Sequence, residues 1–276
     1  MILIRIHKSL TLPHLVSYDK SNKFYARNSS GKYLLEVGEI RNFFLLSESA
    51  IERIRNFRAE RLAKIFGQET PIQLKNSPKC IMHLVPLSIS DPTAVYDISY
   101  FKKGYLQTIV PLTDPMKRYN FDGLLAYDRM DNEPEVFGYT QLFRNGCIEG
   151  VDLWLLRIKE GFGKAIPHIK FERDLVTALK DYLFVLKRMG VEPPILVMLS
   201  MVGIKGYNML VTSPEVEIPS RDGIDRDNLI LPEVIIDTFE VDHPKVMKPI
   251  FDSIWNACGW ERSVNYDHDG KWKLDS

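Results

Sequence analysis

Apolar residues recur along this chain with two different periods, and the switches between them mark out its elements. The run Ile2-Leu3-Ile4-Arg5-Ile6 predicts a first strand. A hairpin follows over residues 24–28 and 32–37, joined through Ser29-Ser30-Gly31, where glycine supplies a positive φ. From Val37 to about Phe66 the period turns helical. Ser47 and Ser49 are N-cap candidates for a second helical stretch beginning near residue 49, with Glu52 three residues beyond Ser49 as in a capping box. On that stretch Ile51, Ile54, Leu62, Ile65 and Phe66 share one broad face. Gly67 ends it. Residues 69–78, with two prolines, read as the boundary between an N-terminal module over 1–70 and a body over 76–276.

The body opens with strands over 80–87 and 121–127. A hairpin over 136–144 and 147–158 follows, joined by Asn145-Gly146, the pair suited to a two-residue type I′ turn. That turn sets Phe137 opposite Trp154 and Phe143 opposite Ile148. Residues 171–189 form the clearest helix, with Leu175, Leu179, Tyr182, Leu183 and Leu186 as its buried stripe and Gly190 as its stop. Strands are expected over 195–200 and 229–241, an amphipathic helix over 245–258, and an edge strand from Trp260 onward. The fold class is α+β: a short basic strand–hairpin–helix module, then a mixed, largely antiparallel sheet domain with two amphipathic helices. A body of this size is expected to fold without the first 75 residues.

Composition narrows the classes. A chain of 276 residues that is 45% hydrophobic has enough apolar side chains for a substantial core. It lacks an apolar run approaching the roughly 20 residues of a membrane span, and no basic leader precedes the opening apolar run, so the expected compartment is the cytoplasm. Cys80, Cys147 and Cys258 are odd in number and far apart, which is not a disulfide framework. The net charge of zero conceals a division. Residues 1–75 hold 13 Lys/Arg against 7 Asp/Glu, a net of +6, and residues 76–276 hold 23 against 29, a net of −6. The first segment is therefore the one suited to an anionic partner.

Candidate chemistry is sparse. Glu160-Gly161-Phe162-Gly163-Lys164 lacks the glycine spacing and the following Ser or Thr of a phosphate loop, and reads as a connecting loop. Cys80 and His83 stand three apart on a strand and so face opposite sides. Asp267-His268-Asp269-Gly270 reads as a solvated turn. Glu233 and Asp237, four apart on a predicted strand, share a face and could hold a divalent metal for phosphodiester cleavage. Pro232 makes that strand an edge. The stretch 215–242 carries nine carboxylates and two arginines, as a solvated loop would. We assign no catalytic, cofactor-binding or metal-binding residue from the sequence.

The helical arginines are more informative. With Ile51 at zero, Arg55, Arg58 and Arg61 fall at about 40°, 340° and 280° on the wheel, within or beside the apolar stripe. Charges there need partners. Three outcomes are open: pairing with carboxylates such as Glu36 or Glu39, snorkelling to water, or binding phosphate through the planar guanidinium fork. On the N-terminal hairpin, Lys23, Arg27 and Lys32 flank Phe24, Tyr25 and Tyr33, an interleaving of base and aromatic that can hold a nucleic-acid strand.

Around these residues the chain resembles a known family. Ile2-Leu3-Ile4-Arg5-Ile6, Ser9, Pro13-His14, Phe24-Tyr25-Ala26-Arg27, Gly31-Lys32 and Glu39-Ile40-Arg41 are similar to bacterial Schlafen-like proteins, which carry an Alba-type DNA-binding domain near the N-terminus. The segment Ile54-Arg55-Asn56-Phe57-Arg58-Ala59-Glu60-Arg61-Leu62 resembles the stretch after that domain. The resemblance covers about the first 70 residues. It implies that residues 2–6 are the last strand of such a domain. The domain's earlier part, acidic in relatives that cleave RNA, would then be encoded upstream or supplied by a partner chain. It further implies DNA or RNA as partner and a regulatory or defence role, with Lys23, Arg27, Lys32, Arg55, Arg58 and Arg61 as the candidate contacts. The rival expectations are a metal-dependent nuclease and a protein-interaction module that completes a partner's sheet.

Overall fold

The computed structural model describes residues 12–91, 93–112, 115–128, 134–158, 161, 163–211 and 223–274, the side chain of Leu46 excepted. The strand expected over residues 2–6 lies outside them. In chain order, β1 (Leu15–Tyr18), β2 (Ser21–Asn28) and β3 (Gly31–Leu34) form a three-stranded antiparallel sheet of their own. The 30-residue helix α1 (Val37–Phe66) follows. The body comprises β4 (Lys79–Pro86), β5 (Met116–Tyr119), β6 (Gly123–Tyr127), β7 (Gly138–Phe143), β8 (Ile148–Asp152), β9 (Ala165–Ile166), α2 (His168–Met189), β10 (Ile195–Val202), β11 (Asn208–Met209), β12 (Asn228–Ile230), β13 (Val234–Ile236) and α3 (His243–Ala257). The fold is α+β.

An eight-stranded antiparallel sheet in the order β12-β10-β4-β8-β7-β6-β5, with β13 also on β10, forms the central layer. Helices cover both faces, which is why β4 and β10 read as nearly unbroken apolar runs instead of alternating. On one face Ile81, Leu125, Tyr139 and Val151 pack with Leu62 and Ile65 of α1, while Val85, Phe143, Leu196 and Met198 pack with Ile54. On the other, Met82, Leu84, Leu142, Val197 and Leu199 meet α2 and α3. The approach of α2 is close: a Cβ on Gly150 would lie 2.5 Å from the Tyr182 hydroxyl, which pairs with Thr140 Oγ1 at 2.7 Å.

Four expectations are corrected by this arrangement. First, Ser47 and Ser49 do not cap a second helix. With no proline to interrupt it, α1 runs unbroken from Val37, and Glu39 accepts from the Glu36 amide at 2.9 Å at its start. Second, the 136–158 hairpin is one residue out of the expected register. Leu142 pairs with Ile148 and the Cys147 carbonyl accepts from the Phe143 amide, leaving a three-residue loop with Gly146 at φ +87°. A type I turn closed by a left-handed glycine uses Gly146 once where the type I′ turn would need two positive φ values. Phe137 and Trp154 still meet, with ring centroids 4.3 Å apart. Third, the expected strand 229–241 is divided at Pro232 into β12 and β13. Both lie on the outer side of β10, where a residue without an amide proton is tolerated. Fourth, among the described residues no edge strand forms from Trp260, and the tail holds only an isolated bridge between Tyr266 and Trp272. The tail instead folds onto buried Glu172, which accepts from Trp255 Nε1 at 2.8 Å, Ser263 Oγ at 2.7 Å and Trp272 Nε1 at 3.4 Å.

The expected boundary at 70–76 separates chain segments, not packing units, because Ile54, Leu62 and Ile65 of α1 belong to the core of the sheet. A chain beginning at residue 76 would bare one whole face of that sheet. We therefore expect it to aggregate or to lose its sigmoidal thermal transition, whereas a chain beginning near residue 47 keeps that transition. A cooperative, soluble 76–276 fragment would contradict this packing.

Candidate functional site

The six cationic positions singled out by sequence divide into two groups with opposite surroundings. Arg55, Arg58 and Arg61 lie along the inner side of α1. Arg61 is buried, and its Nε and Nη2 donate to Glu149 Oε2 and Oε1 at 2.8 and 2.7 Å. Glu149 is a fully buried carboxylate of strand β8, and it takes two further bonds. His83 Nε2 lies 3.0 Å from Oε2, and Tyr139 donates to Oε1 at 2.8 Å. Phe57 stands edge-on to both His83 and Phe143, with centroids 5.7 and 5.5 Å away, and Arg61 lies over the Phe143 ring. Burial alone would raise the Glu149 pKa, but the bonds from Arg61 and His83 outweigh it and hold the pKa down at about 2. His83 has no exposed surface and its Nε2 is spent on Glu149. Cys80, on the same strand, faces the opposite core, as strand alternation requires.

Arg55 and Arg58 converge on Glu233, the residue before β13. Arg55 donates from Nε and Nη2 at 3.1 and 3.0 Å, and Arg58 from Nη2 at 2.8 Å. The carboxylate partners are therefore Glu149 and Glu233 of the sheet. Glu36 and Glu39 serve instead at the start of α1, where Glu39 also accepts from the Tyr33 hydroxyl. Arg55 is more than half exposed, so its share of the bridge is screened. Arg58 is mostly covered, and burial pulls its pKa below the usual arginine value. Glu233 is thus flanked by two guanidinium groups, while Asp237 is exposed beyond the end of β13. Among the described residues no three His, Cys, Asp or Glu side chains are grouped to hold a metal.

Lys23, Arg27 and Lys32 are arranged otherwise. Residues 23, 25 and 27 alternate onto one face of β2, and the register sets Lys32 of β3 directly opposite Arg27. Lys23, Tyr25, Arg27 and Lys32 therefore share one face, with Lys32 Nζ 4.9 Å from the centre of the Tyr25 ring. Phe24 and Tyr33 lie on the other face. All three cations are exposed, and among the described residues none forms an ion pair.

The remaining motifs resolve as local structure. Glu160 and Phe162 lie outside the described residues, as do residues 215–222 of the acidic stretch, and Lys164 donates to the Lys205 carbonyl at 2.9 Å. Asp267 Oδ1 accepts from the amides of Asp269 and Lys271, which makes 267–270 a turn. The three cysteines are buried and free. A polar cleft of about 660 Å³ opens at the C-terminal end of α1, lined by Gln68, Thr70, Gln73, Asn76, Lys79 and Glu135. It contains none of the six cations. The sequence reading missed Glu149, His83 and Tyr139 as the partners of Arg61. The available signal was a carboxylate between Ile148 and Gly150 and a single imidazole inside the apolar run of β4. Among the described residues no helix is long and apolar enough to cross a membrane. Comparison with protein-family profiles, curated proteins and solved structures finds no match for this chain.

Ionised Glu149 contributes stability that is fully present above its ordinary pKa of 4.5 and lost as the pH falls through about 2. Arg61→Met strands that carboxylate in the core and is expected to lower folding stability by about 3–5 kcal/mol at neutral pH. Burial then raises the Glu149 pKa, so the deficit shrinks on acidification. Adding Glu149→Gln recovers most of the loss. Urea unfolding at several pH values measures all three effects, and a pH-independent deficit would refute the assignment.

Proposed function

We propose that this chain is a nucleic-acid-associated accessory region, and that the face of β2 and β3 bearing Lys23, Arg27 and Lys32 makes its phosphate contacts. The observation that carries this reading is the direct cross-strand pairing of Arg27 with Lys32. Like charges placed opposite each other weaken a hairpin. A sheet that keeps three cations on one face with no ion pair among the described residues is suited to an anion lying across it. The tyrosine between them offers a ring face for a base. The surplus of six positive charges in residues 1–75 and the likeness to Schlafen-like proteins support the same reading. Arg55, Arg58 and Arg61 leave the list of contacts, since their guanidinium groups are engaged by Glu233 and Glu149.

A second reading, a protein-interaction module, draws on Leu15, Leu34 and Val37. These are large apolar side chains at least 49% exposed around the same small sheet. It predicts association that strengthens with salt, whereas phosphate binding weakens.

Three neutralised phosphates on a duplex give a slope of log K against log salt of about −3. Lys32→Glu separates phosphate binding from a purely structural role. It replaces a like-charge pair with an opposite one, so hairpin stability should rise by a few tenths to about 1 kcal/mol. Affinity for a labelled duplex or single strand should meanwhile fall. The double change Arg27→Glu with Lys32→Glu restores like charges and should abolish binding without stabilising the fold. Unaltered binding by the double variant would remove this surface from the proposal.

A further inference from the structure

A second concentration of aromatic rings and unpaired cations surrounds the 3₁₀ turn Ser99–Lys103, far along the chain from the β2–β3 face. Tyr100 and Tyr105 stack with centroids 5.6 Å apart and planes 8° from parallel. Tyr105 meets Phe184 of α2 at 5.5 Å, and Arg188, one turn further on, lies over both Tyr100 and Phe184. On the other side of the turn, Lys102 Nζ stands 5.1 Å from the Tyr119 ring, whose hydroxyl reaches the Ser99 carbonyl at 3.5 Å. Lys117 shares the face of β5 that carries Tyr119, because residues two apart on a strand project together. The rings form one group and remain 41–53% exposed.

Two features make this more than a self-packed corner. Lys102, Lys103, Lys117 and Arg188 form no ion pair among the described residues, although residues 76–276 carry a net of −6. Asp97, the acid nearest in sequence to the turn, spends Oδ1 on the Ser99 amide at 2.8 Å. Moreover, Tyr105 has φ +65°, a left-handed conformation that costs an ordinary side chain free energy. Burial does not offset that cost, since Tyr105 is 53% exposed. The chain holds this ring at the surface against its backbone preference.

We propose that this surface is a sequence-tolerant track for single-stranded nucleic acid. Bases would stack on the open faces of Tyr105 and Tyr119, with Tyr100 backing Tyr105, and phosphates would lie against Lys102, Lys103, Lys117 and Arg188. Stacking needs unpaired bases, so a duplex does not fit. A cage for a methylated cation does not fit either, because Arg188 already lies over two of the rings. A protein interface is disfavoured by the lysines, which are depleted at interface cores. The proposal shares the ligand class of the proposed function but rests on a different surface.

The test uses the intact chain and fluorescence anisotropy with labelled oligothymidylate, oligouridylate and a duplex, each about 20 nucleotides or base pairs long. Both single strands should bind more tightly than the duplex. Tyr105→Ala and Tyr119→Ala should each weaken single-strand binding by about tenfold, with Tyr105→Phe close to the parent. Lys102→Gln with Lys103→Gln should make the salt slope shallower by about 1.4 without changing the melting temperature, and serves if a tyrosine variant fails to fold. If only one of the two single strands discriminates parent from variants, the track is selective for that polymer and its sequence tolerance is overturned. Equal affinity for the duplex in the background of the Arg27→Glu with Lys32→Glu double variant, or parental single-strand binding by both Tyr105→Ala and the lysine variant, overturns it. If the Arg27 and Lys32 double variant loses binding while these variants do not, this track falls and the β2–β3 reading stands. The converse result keeps the track and removes the other surface. Absence of binding to any oligonucleotide at low salt, with self-association that Tyr105→Ala abolishes, replaces nucleic acid by protein and overturns both.

Discussion

The pairing of Arg61 with Glu149 is the constraint around which the rest of the molecule is organised. Glu149 sits in the middle of a strand with no exposed surface, where an unpaired carboxylate would be expensive to bury. Its ionised form depends on a guanidinium delivered from a helix more than 80 residues earlier in the chain. Once Arg61 is seated, the rotation and axial position of α1 over the sheet are determined. Ile54, Phe57, Leu62 and Ile65 then fall onto apolar strand residues, and Arg55 and Arg58 fall beside the edge strand at Glu233. His83 and Tyr139 complete the bonding of the carboxylate, so one polar cluster specifies the register of an otherwise greasy helix–sheet contact.

The opposite face repeats this logic with a second buried carboxylate. Glu172 on α2 gathers two indole N–H groups and a serine hydroxyl, and so ties the last turn of α3 and the C-terminal segment to the body. Among the described residues no cation bonds to it, and burial raises the Glu172 pKa against the pull of these donors. The two sites differ as their partners do. A charged donor holds Glu149 ionised, while neutral donors leave Glu172 nearer to protonation.

Sorting the cations by whether a carboxylate faces them separates groups that net charge conceals. The fold brings acids to Arg55, Arg58 and Arg61 of α1. Lys23, Arg27 and Lys32, and separately Lys102, Lys103, Lys117 and Arg188, have aromatic neighbours and no ion pair among the described residues. These are two places where cations and aromatic rings gather without a carboxylate at close range among the described residues.

Much of this was legible in the linear sequence, for local reasons. The helices 168–189 and 243–257 follow from apolar spacing of 3.6, from Gly190 at a left-handed C-cap, and from Asp242 accepting the Lys245 amide. The strands β4, β7, β8 and β10 follow from β-branched and apolar runs between turn residues, and the placement of Arg55, Arg58 and Arg61 beside the apolar stripe required acidic or anionic partners. Tertiary structure decided what periodicity cannot encode. It supplied Glu233 and Glu149 from 175 and 88 residues away, where the sequence offered only nearby Glu36 and Glu39. It selected a three-residue loop over a two-residue one at Asn145-Gly146, a one-residue difference that composition does not resolve. It also assembled Tyr100, Tyr105, Tyr119, Phe184 and Arg188 from three separate elements into one surface. Residue type and spacing determine which way a side chain projects from its own element. The partner it meets is set by how elements distant in sequence pack, as where α1 meets the sheet and Arg61 neutralises Glu149.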